Sequence, residues 1–155
     1  MANLELSITT EAVVASLGDL QARIDNPKEL YELWANELDG IIQDAFDQET
    51  APDGQPWAEL STARAAAKVA AGLRGKILQA EGDLRRSAQA QVTTDGVIAA
   101  TNQQVGEYEL GAIQHFGAPR ANIPARRILP LDERAVILPE TFEVLKEIAQ
   151  DYLLG

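Results

Sequence analysis

The chain has 155 residues, of which 46% are hydrophobic and 24% charged, the size and balance of one globular domain spanning 1–155 around a single core. It has no cysteine, which excludes disulfides, thiol catalysis and thiolate zinc sites, and its net charge of -11 is the wrong sign for gripping nucleic-acid phosphates. Polar or charged residues interrupt every apolar run well short of the roughly 18 residues a membrane span needs, and the start of the chain lacks the basic cluster of a secretory signal, so a cytosolic product is expected.

In chain order, Leu4, Leu6 and Ile8 alternate with Asn3, Glu5 and Ser7, which predicts a short strand with one buried face. Thr10 then introduces a helix that places Val13, Leu17, Leu20 and Ile24 on one face. Asn26-Pro27 reads as a cap followed by a first-turn proline, opening a helix over residues 27 to 48 with an apolar stripe through Leu30, Leu33, Trp34, Leu38, Ile41, Ile42, Ala45 and Phe46. Its opposite face carries Glu32, Glu37, Asp39, Asp44 and Asp47 and reads first as a solvated face, second as a contact surface.

Pro52 and Gly54 force a turn, after which Ser61 or Thr62 caps an alanine-rich helix over residues 63 to 71, closed by Gly72 and Gly75. Ile77, Leu78 and Leu84 suggest another short helical segment. Residues 88 to 102 form two strand-like runs around Asp95-Gly96, a hairpin signal. Residues 108 to 116 suit one short helix, and residues 123 to 131 are extended because Pro124 and Pro130 exclude a regular helix. Pro139 opens a final helix in which Phe142, Leu145, Ile148, Ala149 and Tyr152 share a face. The expected class is α+β, with a central hairpin of an antiparallel sheet packed against several helices.

Reactive constellations are missing from this pattern. His115 is the only histidine, and Gly111, Ile113, Gln114 and Phe116 around it are poor or impossible metal ligands, so its expected role is structural, a ring packed beside Phe116 with one nitrogen hydrogen-bonded. Gly72-Leu73-Arg74-Gly75-Lys76 lacks the spacing of a phosphate loop, and the carboxylates scatter along helix faces. No catalytic residue, metal or cofactor is expected. The charge is uneven, with 12 acids against 2 bases in residues 1 to 56 and 3 acids against 6 bases in residues 57 to 94, so one half of a copy has charge complementary to the other half of its neighbour.

Four segments make little sense as plain core: Pro52-Asp53-Gly54-Gln55-Pro56-Trp57-Ala58-Glu59-Leu60, the run from Ile77 to Ser87 containing Glu81-Gly82-Asp83-Leu84-Arg85-Arg86, the run Tyr108-Glu109-Leu110-Gly111-Ala112-Ile113-Gln114-His115-Phe116-Gly117, and Ile123-Pro124-Ala125-Arg126-Arg127-Ile128-Leu129. In this order they resemble the phage virion morphogenesis family, which includes the Mu-like tail completion proteins. Arg126 stands where the family's arginine does, whereas Arg127 replaces a usual aromatic, apolar or proline residue.

The resemblance implies a non-enzymatic virion component that completes or terminates the tail at its head-proximal end and belongs to the head-tail junction. It implies a homo-oligomeric ring, a hexamer by match to a six-fold tail tube. Its partners would be the tube, the sheath and a head-side connector or neck protein, with DNA only passing through the lumen and no membrane. The protein would reside in the virion after assembly in the host cytoplasm. A heterologous ring needs two different surfaces per copy. The acidic helix face and the bases Arg64, Lys68, Arg74, Lys76, Arg85, Arg86, Arg120, Arg126 and Arg127 are the candidates. Trp57, Arg85, Arg86, His115, Phe116, Arg126 and Arg127 are the expected anchors, with a core role favoured for Trp57 and Phe116. A neck protein, an assembly factor, or a cytosolic α+β binding module or enzyme are the alternatives.

Overall fold

The computed structural model describes residues 10–73 and 75–155, so the predicted strand at residues 4 to 8 and the base Arg74 lie outside the described residues. The class is α+β: among the described residues six α-helices frame two small antiparallel hairpins.

Helix α1, Thr10–Asp25, includes Thr10 as its first helical residue. Its predicted packing face is largely uncovered, with Val13, Leu17 and Ile24 all close to half exposed. The C-terminal end of α1 is held by the last helix, because Arg23 Nη1 donates to the Tyr152 carbonyl at 2.7 Å and Tyr152 Oη donates to the Asn26 carbonyl at 3.1 Å.

Helix α2, Lys28–Gln48, is the spine. Pro27, at φ -78 and ψ 10, takes the capping position expected of Asn26, and no side chain caps the helix. The cause is that the Asn26 N–H is drawn to the Ala22 carbonyl at 3.1 Å, continuing the preceding helix by one turn bond. Leu30, Ala35, Leu38, Ile42, Ala45 and Phe46 form its buried stripe. Leu33, expected in that stripe, faces solvent, and Trp34 is half-buried with its indole N–H donated to the Leu145 carbonyl at 2.8 Å.

Helix α3, Thr62–Ala70, starts where expected, Ser61 accepting from the Arg64 N–H at 3.3 Å. The next helical segment is shorter than the apolar pattern suggests. Only α4, Asp83–Ser87, is helical, because Leu78 and Gly82 both turn the chain at positive φ, 57° and 84°.

Strands β1, Gln89–Thr93, and β2, Gly96–Ala100, pair in register from Gln89 with Ala100 to Thr93 with Gly96, so the turn is Thr94-Asp95, one residue before the expected Asp95-Gly96. One face of this hairpin rests on α2. The single helix expected over residues 108 to 116 is divided: β4, Tyr108–Glu109, pairs with β3, Gln104–Val105, and only Leu110–Phe116 is helical, as α5. Gly106, at φ 62, makes that tight turn possible. Residues 123 to 131 carry no helix, as the two prolines require, and they are tied by isolated bridges from Ile123 to Ala118 and Leu131 to Ile137.

Helix α6, Pro139–Leu154, opens on its proline and packs on α1 and α2 with Leu145, Ile148, Ala149 and Tyr152 half-buried, while Phe142 of the expected face is exposed. The core therefore lies at the other end of α2, where Ile42, Ala45 and Phe46 meet Ala51, Trp57, Ile77, Leu84, Ala88 and Ile128.

Candidate functional site: the brace formed by four motifs

The four segments that stood out in the sequence converge on this core. In the first, Ala51 N donates to the Gln55 carbonyl at 2.7 Å, Gly54 sits at φ 82, and Asp53 Oδ1 accepts from Gln55 N at 3.1 Å. This closed turn delivers Trp57 into the core at 4% exposure, edge-on to Phe46 with ring centroids 5.4 Å apart. The Trp57 indole donates to the Arg127 carbonyl at 2.9 Å.

The second segment is fastened to the end of α2. Glu49, left-handed at φ 55, turns its carboxylate to accept from Ile77 N at 2.6 Å, and the buried Gln79 amide donates to the Phe46 carbonyl at 2.6 Å. Arg85 lies across the same end, donating to Gln43 Oε1 at 2.8 Å, Asp47 Oδ1 at 2.6 Å and Gln79 Oε1 at 3.3 Å. The Arg85 hydrogen bond lowers the Asp47 pKa from the usual carboxylate value. Arg86 is exposed, pairs with Asp83, and donates to the Glu81 carbonyl at 3.1 Å, closing its own turn.

In the third segment His115 is 3% exposed, and its Nδ1 accepts from two backbone amides, Ile128 N at 3.1 Å and Leu129 N at 3.3 Å. That arrangement requires a lone pair on Nδ1 and puts the proton of the neutral ring on Nε2, which has no partner in hydrogen-bond geometry among the described residues. Burial lowers the ring's pKa, the Arg127 charge acts in the same direction, and the Leu131 backbone opposes them. The ring packs edge-on against Phe116 at 4.6 Å, the structural role expected of it.

In the fourth segment Arg126 is 7% exposed and donates to three carbonyl groups or amides: Ala58 O at 2.8 Å, Glu59 O at 3.2 Å and Gln114 Oε1 at 3.4 Å. Its own N–H donates to the Gln114 carbonyl at 2.6 Å. No carboxylate pairs with it among the described residues. One guanidinium thus joins the first, third and fourth segments through neutral acceptors, a use of its planar fork that lysine cannot copy. Arg127 turns the other way and pairs with Asp53 at 2.5 Å, a half-buried bridge back to the first turn.

Of the expected anchors, Trp57, His115 and Arg126 are buried inside the brace, Arg85 and Arg127 are partly buried, and Arg86 is exposed. The core role expected for Trp57 holds. Phe116 is 46% exposed, so its core role is corrected: α5 ends there, and the ring covers His115 from outside. The expected basic surface is also smaller than its sequence count. Lys68 is 5% exposed with its ammonium donated to the Lys76 carbonyl at 2.7 Å, and Arg85, Arg126 and Arg127 are likewise committed to their own chain. Burial lowers the Lys68 pKa.

Lys68 and Gln79 are buried polar centres that the sequence does not announce, because a buried polar side chain leaves no mark on apolar periodicity. Beside the brace lies an open cleft of about 700 Å³, lined by Arg64, Lys68 and Arg126 and faced by Glu59, Glu81 and Asp83. Among the described residues no group of three or more histidine, aspartate or glutamate side chains is placed to hold a metal ion, and no helix is long and apolar enough to cross a membrane.

A small α+β domain in which four loop motifs lock one another through buried arginine, histidine and tryptophan is a scaffold built to hold its shape and present its surfaces. The chain belongs to the phage virion morphogenesis family, whose model matches residues 8–152. No curated protein and no solved structure matches it. Family membership makes this a virion-associated protein with a structural or morphogenetic role in a phage.

Proposed function

We propose that the protein is a non-enzymatic tail completion protein that terminates the tail at its head-proximal end and contributes to the head-tail junction as a ring of copies, six matching a six-fold tube. The observation that carries this reading is the family match over residues 8–152, which includes all four motifs of the brace. The division of the surface supports it. The brace commits Arg85, Arg126 and Arg127 to their own chain, while apolar residues of α1 and α6, among them Val13, Leu17, Phe142 and Val144, stay exposed. Exposed acids Glu32 and Asp44 on α2 suit a wall past which DNA moves without being held. The partners in this reading are the tail tube, the sheath and a head-side connector or neck protein.

The test is the mass in solution by light scattering across protein and salt concentration, followed by sedimentation with purified tail tubes. A mass near six subunits, or a monomer that joins tube ends, supports the reading. A monomer that ignores tubes and binds portal complexes would transfer the protein to the neck. A monomer that binds neither would remove the ring and return attention to the cleft.

A further inference from the structure

The cleft beside the brace, about 700 Å³, carries an unneutralised group of cations. Lys68 and Arg126 are buried in its wall, and Arg64 stands exposed one helical turn before Lys68. Burial is the first cause that lowers the Lys68 pKa; the charges of Arg64 and Arg126 act the same way and Glu49 opposes them, so the three cations lie within electrostatic reach of one another. None of the three forms an ion pair with a carboxylate among the described residues. The acids around them are engaged or solvated: Glu49 accepts from Ile77 N, Asp83 pairs with Arg86, and Glu59 and Glu81 are exposed. Leu60, Leu78, Ile123 and Pro124 supply apolar wall. The guest that fits carries an acid beside apolar side chains.

A surface of that kind stands uncovered at the far end of α2. The cleft adjoins the C-terminal end of that helix, where Glu49 and Phe46 hold the segment from Ile77 to Gln79, whereas α1 enters at the N-terminal end; the 21 residues between span roughly 30 Å. On α1, Glu11, Val14 and Leu17 recur every third residue and share one side of the helix. All three are exposed, the two apolar ones at 61% and 59%. Gly18 lies one turn after Val14, and a Cβ placed there would meet nothing within 4 Å. Glycine weakens a helix interior, and its own copy makes no use of the room it leaves. Open backbone beside exposed valine and leucine suits close approach by a second surface.

We propose that the first turns of α1 in one copy, residues 11 to 18, seat in the cleft of a second copy, with Val14 and Leu17 on its apolar wall and the Glu11 carboxylate at Arg64. Charge complementarity selects this occupant, because α1 belongs to the acidic stretch of residues 1 to 56 and most of the cleft is built from the basic stretch of residues 57 to 94. Donor and acceptor are different surfaces at opposite ends of α2, so the contact is heterologous and repeats around a ring. It rests on the reading that copies assemble, and names the contact by which they do so.

Charge exchange tests it. Glu11→Arg and Arg64→Glu alone should each lower the assembled fraction at least about tenfold, through like charges brought together, and both in one chain should recover most of it. Glu11 and Arg64 are exposed, so the fold tolerates the exchange. Gly18→Gln fills the open approach with a helix-favouring side chain; it should keep or raise helix content by circular dichroism while lowering assembly at least about tenfold. The assembled fraction is read by light scattering, and by sedimentation with tail tubes where copies join only there. A doubly exchanged chain that assembles no better than the single variants, or a Gly18→Gln chain that assembles like wild type, overturns the proposal, and a wild-type multimer then leaves the ring standing on another contact. A wild type that forms no multimer and joins no tube end removes ring and contact together.

Discussion

Trp57 and Arg127 hold each other at both ends: the indole N–H donates to the Arg127 carbonyl at 2.9 Å, and the Arg127 guanidinium returns to Asp53 of the same turn at 2.5 Å. The turn before Trp57 and the extended segment around Arg127 are thereby one rigid unit, although 70 residues separate the tryptophan from the arginine. Truncating Trp57→Ala empties a site against Phe46 and should cost about 3–5 kcal/mol. Trp57→Phe keeps part of the packing, leaves the Arg127 carbonyl without its donor, and should cost about 1–3 kcal/mol. Urea unfolding of the two variants checks the order; equal midpoints would mean that the indole hydrogen bond, not the packing, dominates.

Among the described residues Arg126 has no charged partner, so its contribution comes from hydrogen bonds to Ala58, Glu59 and Gln114. Arg126→Lys retains the charge and loses the fork, so at least one of these carbonyls is left unsatisfied. The expected loss is about 2 kcal/mol, read as a lower urea midpoint at unchanged slope, and Arg126→Met should cost at least as much. A lysine variant as stable as wild type would show that charge alone is needed at this point.

How much of this was legible in the sequence depends on how far apart the interacting residues lie. The periodicity of α2 and α6 is local, and both helices appear close to their expected bounds. The hairpin was readable from Asp95-Gly96 but displaced by one residue, because Thr93 pairs with Gly96 and leaves Thr94-Asp95 as the turn. The division of residues 108 to 116 was not readable, since β4 exists only by pairing across the turn at Gly106. Trp57 and Arg126 could be picked out as unusual, yet what they bind is set by tertiary placement. Phe116 shows the limit: its residue type suggests core, but the end of α5 leaves it at the surface.

His115 makes stability depend on pH. Its folded-state pKa is lowered from 6.5, with burial the largest cause, so between the folded value and 6.5 the unfolded chain binds more protons than the folded one. Stability conferred by the neutral ring is therefore complete above about pH 6.5 and is lost as pH falls through that window. Protonation would also place a proton on Nδ1, where Ile128 N and Leu129 N already point. Thermal unfolding between pH 5 and 7.5 should show a fall in midpoint toward the acid end that is reduced in His115→Gln. The carboxylates Asp47 and Asp132, both with pKa lowered from 3.8, titrate below this range. An unaltered slope in the variant would assign the pH dependence to other groups.

Gly111 is required by space and not by backbone conformation. It lies in α5, and a Cβ added there would fall 2.0 Å from Thr101 Cγ2 and 2.8 Å from Thr101 Oγ1, in the loop that joins the two hairpins. Thr101 cannot move away freely, because its hydroxyl is 2.9 Å from the Ser87 hydroxyl at the end of α4. Gly111→Ala should therefore destabilise by about 1–3 kcal/mol despite the better helix propensity of alanine. Adding Thr101→Ala removes the two closest atoms and should recover part of that loss, giving a favourable coupling in a double-mutant cycle by urea unfolding. If the two substitutions simply add, α5 has shifted away from the loop instead of pressing on Thr101, and the contact between the third motif and the hairpins is looser than these distances make it.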